Sequence, residues 1–290
     1  MADKATHTFD LKDVPPEYRD ELEALIPDPA FADKYINRTF AGGIEDFALF
    51  DAAFGSRHNV MMAGPTGAGK TMAGRAYAAA RRLPFASVEY NGGMDPQTAI
   101  GVTTVNPDNG LPFYKYGEMS LVTMFGGVQF HDEVNNMSGR MTAAYHGLLD
   151  ARQSLYISEL GKRINKSPNC IVFAAYNPRY HGTSMLNQAF LNKFAYTIDP
   201  WGYDARVEDE LIGAYSPTLL NRVRAFRQEK KIHADIGTNV MEEFIDHASV
   251  LNLETAIQLF LDRMPTEDRM IMTPVFEAEA HAIGDELGVT

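Results

Sequence analysis

The sequence predicts an α/β domain followed by an all-helical one. Three observations carry that expectation. A glycine-rich stretch, Gly64-Pro-Thr-Gly-Ala-Gly-Lys-Thr71, sits between an apolar run at 60–63 and a helix-forming run at 72–81. A second, apolar-biased run, 127–131, ends in adjacent carboxylates, Asp132 and Glu133. Beyond Asp199-Pro-Trp-Gly202, which reads as a domain boundary, apolar residues recur at helical spacing.

The glycine-rich stretch fits G-x-x-x-x-G-K-[ST] in the strand–loop–helix setting that a phosphate-binding loop needs. Gly64, Gly67 and Gly69 let the backbone curl so that successive N–H groups face phosphate oxygens, with Pro65, Thr66 and Ala68 between them. The helix that opens at Met72 adds its positive end. Lys70 is expected to reach the β- and γ-phosphates, and the Thr71 hydroxyl to ligate Mg²⁺. About 60 residues later, Asp132 and Glu133 close a strand, and alternation points them in different directions. Asp132 is expected in the Mg²⁺ shell, with Glu133 deprotonating a water beside the γ-phosphate. Asn177, at the tip of the apolar strand 170–175, is placed to hydrogen-bond that water or the phosphate.

The chain has 290 residues, 45% hydrophobic and 22% charged, the balance of a globular protein with one large domain or two modest ones. A net charge of −12 argues against a surface generally adapted to nucleic acid or acidic membrane. One cysteine, Cys170, excludes an intramolecular disulfide, and in its apolar setting it reads as a small buried hydrophobe. The first residues lack the apolar core of a signal peptide, and no apolar run reaches the ~18–20 residues of a membrane span. A cytoplasmic location, in a bacterial or phage-infected bacterial cell, is the expectation.

The expected domains are an N-terminal arm at 1–40, an α/β domain at 41–202 and a helical lid at 203–290. The arm is polar and proline-punctuated, with a short helix near 17–25 and apolar handles at Phe31, Tyr35, Ile36 and Phe40. It either covers the nucleotide base or simply packs. Apolar spacing predicts helices at 44–54, 118–125, 138–150 and 186–194, and strands at 83–90 and 194–198. Turn-flanked apolar runs predict hairpins within 101–117 and 154–164. Near the tip of the second, Lys162, Arg163 and Lys166 either grip a polymer or form an ordinary solvated turn. His131 reads as a packed strand histidine, with no second ligand at metal spacing. Lid helices are expected at 204–215, 218–229, 238–249, 253–263 and 271–287.

This set of motifs, over about residues 30–285, resembles the AAA+ ATPases, and within them the MoxR-type branch, which includes the cobaltochelatase ATPase subunit and related phage ATPases. Gly64–Thr71 matches Walker A, Val128–Glu133 Walker B and Asn177 sensor 1. The phrase Ala174-Ala-Tyr-Asn-Pro178, with Gly182 and Leu186-Asn187 after it, and the two hairpins look like this branch. The resemblance implies a P-loop NTPase core with a five-stranded parallel sheet in the order 5-1-4-3-2 and a C-terminal helical lid. It also implies ATP as the nucleotide and a homo-oligomeric, usually hexameric, ring in which a neighbour's arginine finger reaches each γ-phosphate. The partner implied is a protein substrate, often a von Willebrand factor A-type protein.

Two positions depart from the family pattern. Lys193 stands in Leu186-Asn-Gln-Ala-Phe-Leu-Asn-Lys-Phe194 where arginine is usual, and a lysine lacks the bidentate fork. Either Lys193 acts as a weaker finger or Arg179 takes its part. Asn239 occupies the place of the sensor-2 arginine and brings no positive charge. Arg222 and Arg224 either substitute for it or are surface charges. Slow turnover is the expectation. Remodelling of a protein by a ring ATPase is the leading function. The alternatives are a nucleic-acid motor or restriction-type NTPase, and a nucleotide-gated scaffold with little hydrolysis.

Overall fold

The computed structural model describes residues 9–95, 97–178, 186–229 and 231–289. The chain divides into two compact units. One holds the chain up to Gly64 and Lys70–Pro200; the other holds Pro65–Gly69 and the chain from Trp201 onward.

The first unit is an α/β sandwich. Its strands are β1 (Val60–Ala63), β2 (Phe85–Glu89), β3 (Gly101–Val105), β4 (Pro112–Tyr116), β5 (Gly127–Asp132), β6 (Ser154–Ile157), β7 (Lys162–Asn165), β8 (Cys170–Tyr176) and β9 (Tyr196–Ile198). Its helices are α1 (Pro16–Ala24), α2 (Ala30–Asp33), α3 (Asp46–Gly55), α4 (Lys70–Arg81), α5 (Gln97–Ile100), α6 (Glu118–Phe125), α7 (Gly139–Leu149) and α8 (Gln188–Leu191). Five strands form one sheet in the order β2-β5-β8-β1-β9, every pair parallel. The central strands read as continuous apolar runs because helices cover both faces: every residue of β1 is buried, as is β8 up to its final Tyr176. On one face, Phe50 of α3 and Tyr77 of α4 pack on Phe173, with ring centroids 4.8 and 5.9 Å away. Helix α4 comes this close because its inner side is small: a Cβ on Gly74 would lie 2.6 Å from the Phe130 ring. On the other face lie Met119, Val122, Tyr145 and Leu148 from α6 and α7.

The described part of the N-terminal arm packs on the α/β core. Val14 and Leu22 are buried in the α/β core, and Tyr18 packs edge-on to Tyr116. Hairpins β3–β4 and β6–β7 form as two-stranded antiparallel ribbons. Glu159, in the turn of the second, links the two, accepting from Thr103 N and Oγ1 on β3.

The second unit comprises α9 (Ala205–Glu208), running into a π-turn at Asp209–Gly213, then α10 (Pro217–Glu229), α11 (Thr238–Val250), α12 (Leu253–Asp262) and α13 (Thr266–Leu287). Its core is a cluster of phenylalanines, with Phe276 within 6.5 Å of Phe226, Phe244 and Phe260, centroid to centroid. Helix α13 starts five residues before the sequence expectation of 271. Pro265 precedes it, Glu267 and Asp268 occupy its first turn, and the apolar spacing begins only later. Buried Asp268 accepts from the backbone N–H groups of His233 and Ala234, which ties the loop before α11 to α13.

No helix among the described residues is long and apolar enough to cross a membrane.

Candidate functional site

Strand order in the α/β unit brings distant residues together. β5 and β1 both flank β8, so the end of β5 and the loop after β1 fall at the same carboxyl edge of the sheet. There the Thr71 hydroxyl donates to Asp132 Oδ2 at 2.6 Å, across 61 residues of sequence. Lys70 is 6% exposed and its ammonium donates to the carbonyl of Gly64 at 2.8 Å. Gly64 N in turn donates to Tyr176 O at the end of β8, which sets Asn177, 2% exposed, beside the loop's entrance.

Strand β5 stops at Asp132, and Glu133 turns the chain with a left-handed backbone, φ 51° and ψ 45°. Such a conformation is rare outside glycine, asparagine and aspartate. The Glu133 N–H donates to Asp132 Oδ1, so the two neighbouring carboxylates split their tasks: Asp132 is committed to Thr71 and to its own chain. Burial, then the charges of Asp132 and Glu89, push the Glu133 carboxyl above its ordinary range, while Lys70 opposes them. A carboxylate that holds a proton more readily is a better general base.

Hard oxygen donors from Thr71 and Asp132, 2.6 Å apart, suit Mg²⁺, which usually takes one or two protein ligands and completes its shell with water and substrate phosphates. Among the described residues no group of three or more His, Cys, Asp or Glu gathers as a metal site. Gly67 and Gly69 have φ of 72° and 79°, the conformation the curled loop requires. A Cβ on Gly67 would lie 2.2 Å from Asn239 Oδ1 and 2.7 Å from the Gly237 Cα, so the loop has no room for a side chain there.

The remaining expected residues fall as follows. Lys193 follows α8; its ammonium lies 3.6 Å from Asp150, whose other cation is Arg152 at 2.7 Å. Its carbonyl accepts from Asn59 Nδ2. Met72 is exposed on the first turn of α4. Arg179 and Gly182 lie outside the described residues. Asn239 sits in the first turn of α11, over Gly67. Arg222 pairs with Glu279, and Arg224 with Glu208 and Asp209, inside the helical unit.

His131 is buried and accepts from Tyr90 Oη at Nδ1, while Nε2 faces Gln129 Oε1 at 3.2 Å. Burial lowers its pKa to about 3, so it is a neutral packing residue. Burial pushes the Cys170 thiol up to about 11. The basic residues of the second hairpin are partly absorbed: Lys162 lies over the Tyr116 ring, Arg163 over the Tyr156 ring, and Lys166 donates to Asn59 Oδ1. A cavity of about 470 Å³ lies elsewhere in this unit, lined by Tyr114, Arg140 and Tyr156 among others.

Sequence reasoning missed the residues that hold the phosphate loop from outside. Trp201 Nε1 donates to Ala68 O at 2.9 Å, Tyr203 Oη to Thr66 O at 3.0 Å and Thr238 N to Gly67 O at 3.3 Å. The single tryptophan directly after a Pro was the available signal.

Comparison with known proteins fits this geometry. Residues 59–194, just under half of the chain, match the model of the AAA domain of the dynein-related subfamily. Together with the phosphate loop, the match supports an AAA-type ATPase core. A functionally unassigned protein of Staphylococcus epidermidis is 24% identical over 232 residues, covering 74% of this chain and 88% of its own length. The denitrification regulatory protein NirQ of Pseudomonas aeruginosa is 27% identical over 135 residues, 47% of this chain and about half, 51%, of its own length. Among solved structures, a candidate ATPase of Cytophaga hutchinsonii covers 91% of this chain and 78% of its own length, at 18% identity and a TM-score of 0.45.

Proposed function

We propose that the chain is a Mg²⁺-dependent ATPase of the ring-forming AAA+ kind, in the MoxR-type branch, that remodels a protein partner. The observation that carries the ATPase reading is the Lys70, Thr71, Asp132 and Glu133 constellation at one edge of the sheet. Phosphoryl transfer needs positioning and charge stabilisation more than covalent chemistry, and these residues divide that work. Backbone N–H groups of the loop and the Lys70 ammonium hold the phosphates. Thr71 and Asp132 would hold the cation, which would supply charge neutralisation for the phosphates. Glu133 takes the proton of the attacking water. Asn177 orients that water or the γ-phosphate. Lys193, or Arg179, supplies a cation to the neighbouring subunit, where charge develops.

Protein rather than nucleic acid is the favoured load. The chain carries −12, and two of the three basic hairpin residues lie over tyrosine rings. A von Willebrand factor A-type protein is the partner suggested by the branch resemblance, and residence in the cytoplasm goes with it.

Mass photometry of the Glu133→Gln variant with ATP and Mg²⁺ tests this reading. The expected result is a shift from one subunit mass to about six, with ATP bound and not hydrolysed. A monomer under all conditions, with ATP hydrolysis undiminished by the substitution, would overturn both the ring and the assignment of the base.

A further inference from the structure

Three consecutive carbonyls of the phosphate loop, those of Thr66, Gly67 and Ala68, each accept a hydrogen bond from residues of the helical unit. A trans peptide is planar, so the carbonyl of one residue and the N–H of the next point in opposite directions. Drawing these three carbonyls outward therefore turns the N–H groups of Gly67, Ala68 and Gly69 to the other side. Those are the groups a phosphate-binding loop offers to its ligand.

The donors are themselves held. The Arg227 guanidinium lies 3.7 Å from the centroid of the Tyr203 ring. Arg227 Nη1 donates to Glu208 Oε1 at 2.6 Å, and the same oxygen accepts from Thr238 Oγ1 at 3.1 Å. Glu208 is 2% exposed, so this is a buried and partnered carboxylate. Tyr203, Arg227, Glu208 and Thr238 thus form a circuit that starts at Thr66 and returns at Gly67. Trp201 is 1% exposed, which fixes its indole N–H on Ala68. Gly67 and Gly237 meet backbone to backbone: a Cβ on Gly237 would lie 2.8 Å from the Gly67 Cα.

We propose that Trp201 and Tyr203, with the backbone of Thr238, are positioning residues for the phosphate loop, and that nucleotide affinity is set through them by the helical unit. They act on the ligand through loop carbonyls and need no cation at the place of Asn239. The inference rests on the loop's binding nucleotide, as proposed above.

The test is ATP affinity, by titration of a fluorescent ATP analogue, in the Glu133→Gln background so that ligand is not consumed. Trp201→Phe keeps an aromatic ring and removes the N–H. Tyr203→Phe keeps the ring under Arg227 and removes the hydroxyl. Each is expected to weaken binding about 3- to 10-fold, the worth of one hydrogen bond, and the double variant about 10- to 100-fold. Thermal melting without nucleotide checks folding, and Tyr203→Phe, the milder change, is expected to melt within about 2 °C of its parent. Affinity within twofold of the parent in a folded double variant would overturn the proposal, because a purely structural role moves melting and not affinity. ATP binding by the parent, lost in Lys70→Ala, shows that the nucleotide reading stands whatever the aromatic variants do. No binding by the parent would overturn both.

Discussion

Glu133 is where chemistry and backbone strain coincide, and two substitutions there separate them. Its left-handed conformation costs an L-residue about 1–2 kcal/mol. Its half-buried carboxylate, beside Asp132 and Glu89, is also held at a cost, since its pKa is raised. The sign follows from linkage. A raised carboxyl pKa means that the native state binds the proton more tightly than the unfolded chain, so stability falls as pH rises through that window. Near pH 7 the ionised group is therefore a burden on the fold. Glu133→Gln removes the charge and keeps the strain. Glu133→Gly removes both, although glycine gives back about 0.5–1 kcal/mol through its freedom in the unfolded chain. The net backbone gain of glycine over glutamine is about 0.5–1 kcal/mol, or roughly 1–4 °C in melting for a unit of this size. Both variants lose the base, so turnover falls about 10²- to 10⁴-fold. The assay pairs phosphate release at saturating ATP with thermal melting of the nucleotide-free protein at about pH 7. Turnover within tenfold of wild type in either variant would remove Glu133 as the base. A glycine variant that melts below the glutamine variant would refute the strain, and a glutamine variant that melts below wild type would refute the burden of the charge.

Other expectations are as direct. Gly74→Ala brings a methyl to 2.6 Å from the Phe130 ring, so urea unfolding should show a loss of about 1–3 kcal/mol, partly recovered by Phe130→Leu. Because the His131 pKa is lowered to about 3, the unfolded chain binds a proton that the native one does not as pH falls from about 6.5 towards 3. Stability should drop through that window by up to about 1.4 kcal/mol per pH unit from this group, and His131→Gln should flatten the slope measured by denaturant titration. Lys193→Ala should lower turnover and leave ATP affinity unchanged, and mixing it with Lys70→Ala subunits should restore part of the activity. Failure of that complementation would place Lys193 outside the active site of a neighbour.

Most of this architecture was legible because it rests on local pattern. The runs at 60–63 and 170–175 are apolar without alternation, which marks strands covered on both faces, and both lie in the middle of the sheet. The glycines at 67 and 69 announced a backbone that only they adopt cheaply. What stayed hidden was tertiary. Nothing in the sequence says that Tyr203 reaches Thr66, 137 positions away, or that Trp201 reaches Ala68 across 133. The early start of α13 was hidden for a different reason: its first turn is anchored by the polar Asp268, which accepts from the loop before α11, and apolar spacing is blind to such a contact. The assignment of residues 65–69 to the same compact unit as the helices also follows from these contacts.

Lys193 and Asn239, where the sequence departs from the pattern it resembles, gain meaning from their surroundings. Lys193 is drawn towards Asp150, which Arg152 already engages through three hydrogen bonds to its carboxylate, so the lysine shares its partner with a stronger competitor. A side chain so loosely held can reorient at small cost, whereas an arginine in its place would compete for the same carboxylate with a fork of its own. Asn239 lies against the Cα of Gly67, where the longer side chain of an arginine would have to find another path. In that position a short amide lets the first turn of α11 press on the loop, and Thr238 N then reaches the Gly67 carbonyl. The loss of a charge at position 239 is thus coupled to the gain of backbone contact at 237 and 238. Asn239→Arg is accordingly expected to weaken ATP binding rather than restore a missing sensor, and tighter binding in that variant would show that charge, not contact with the loop, is what this position lacks.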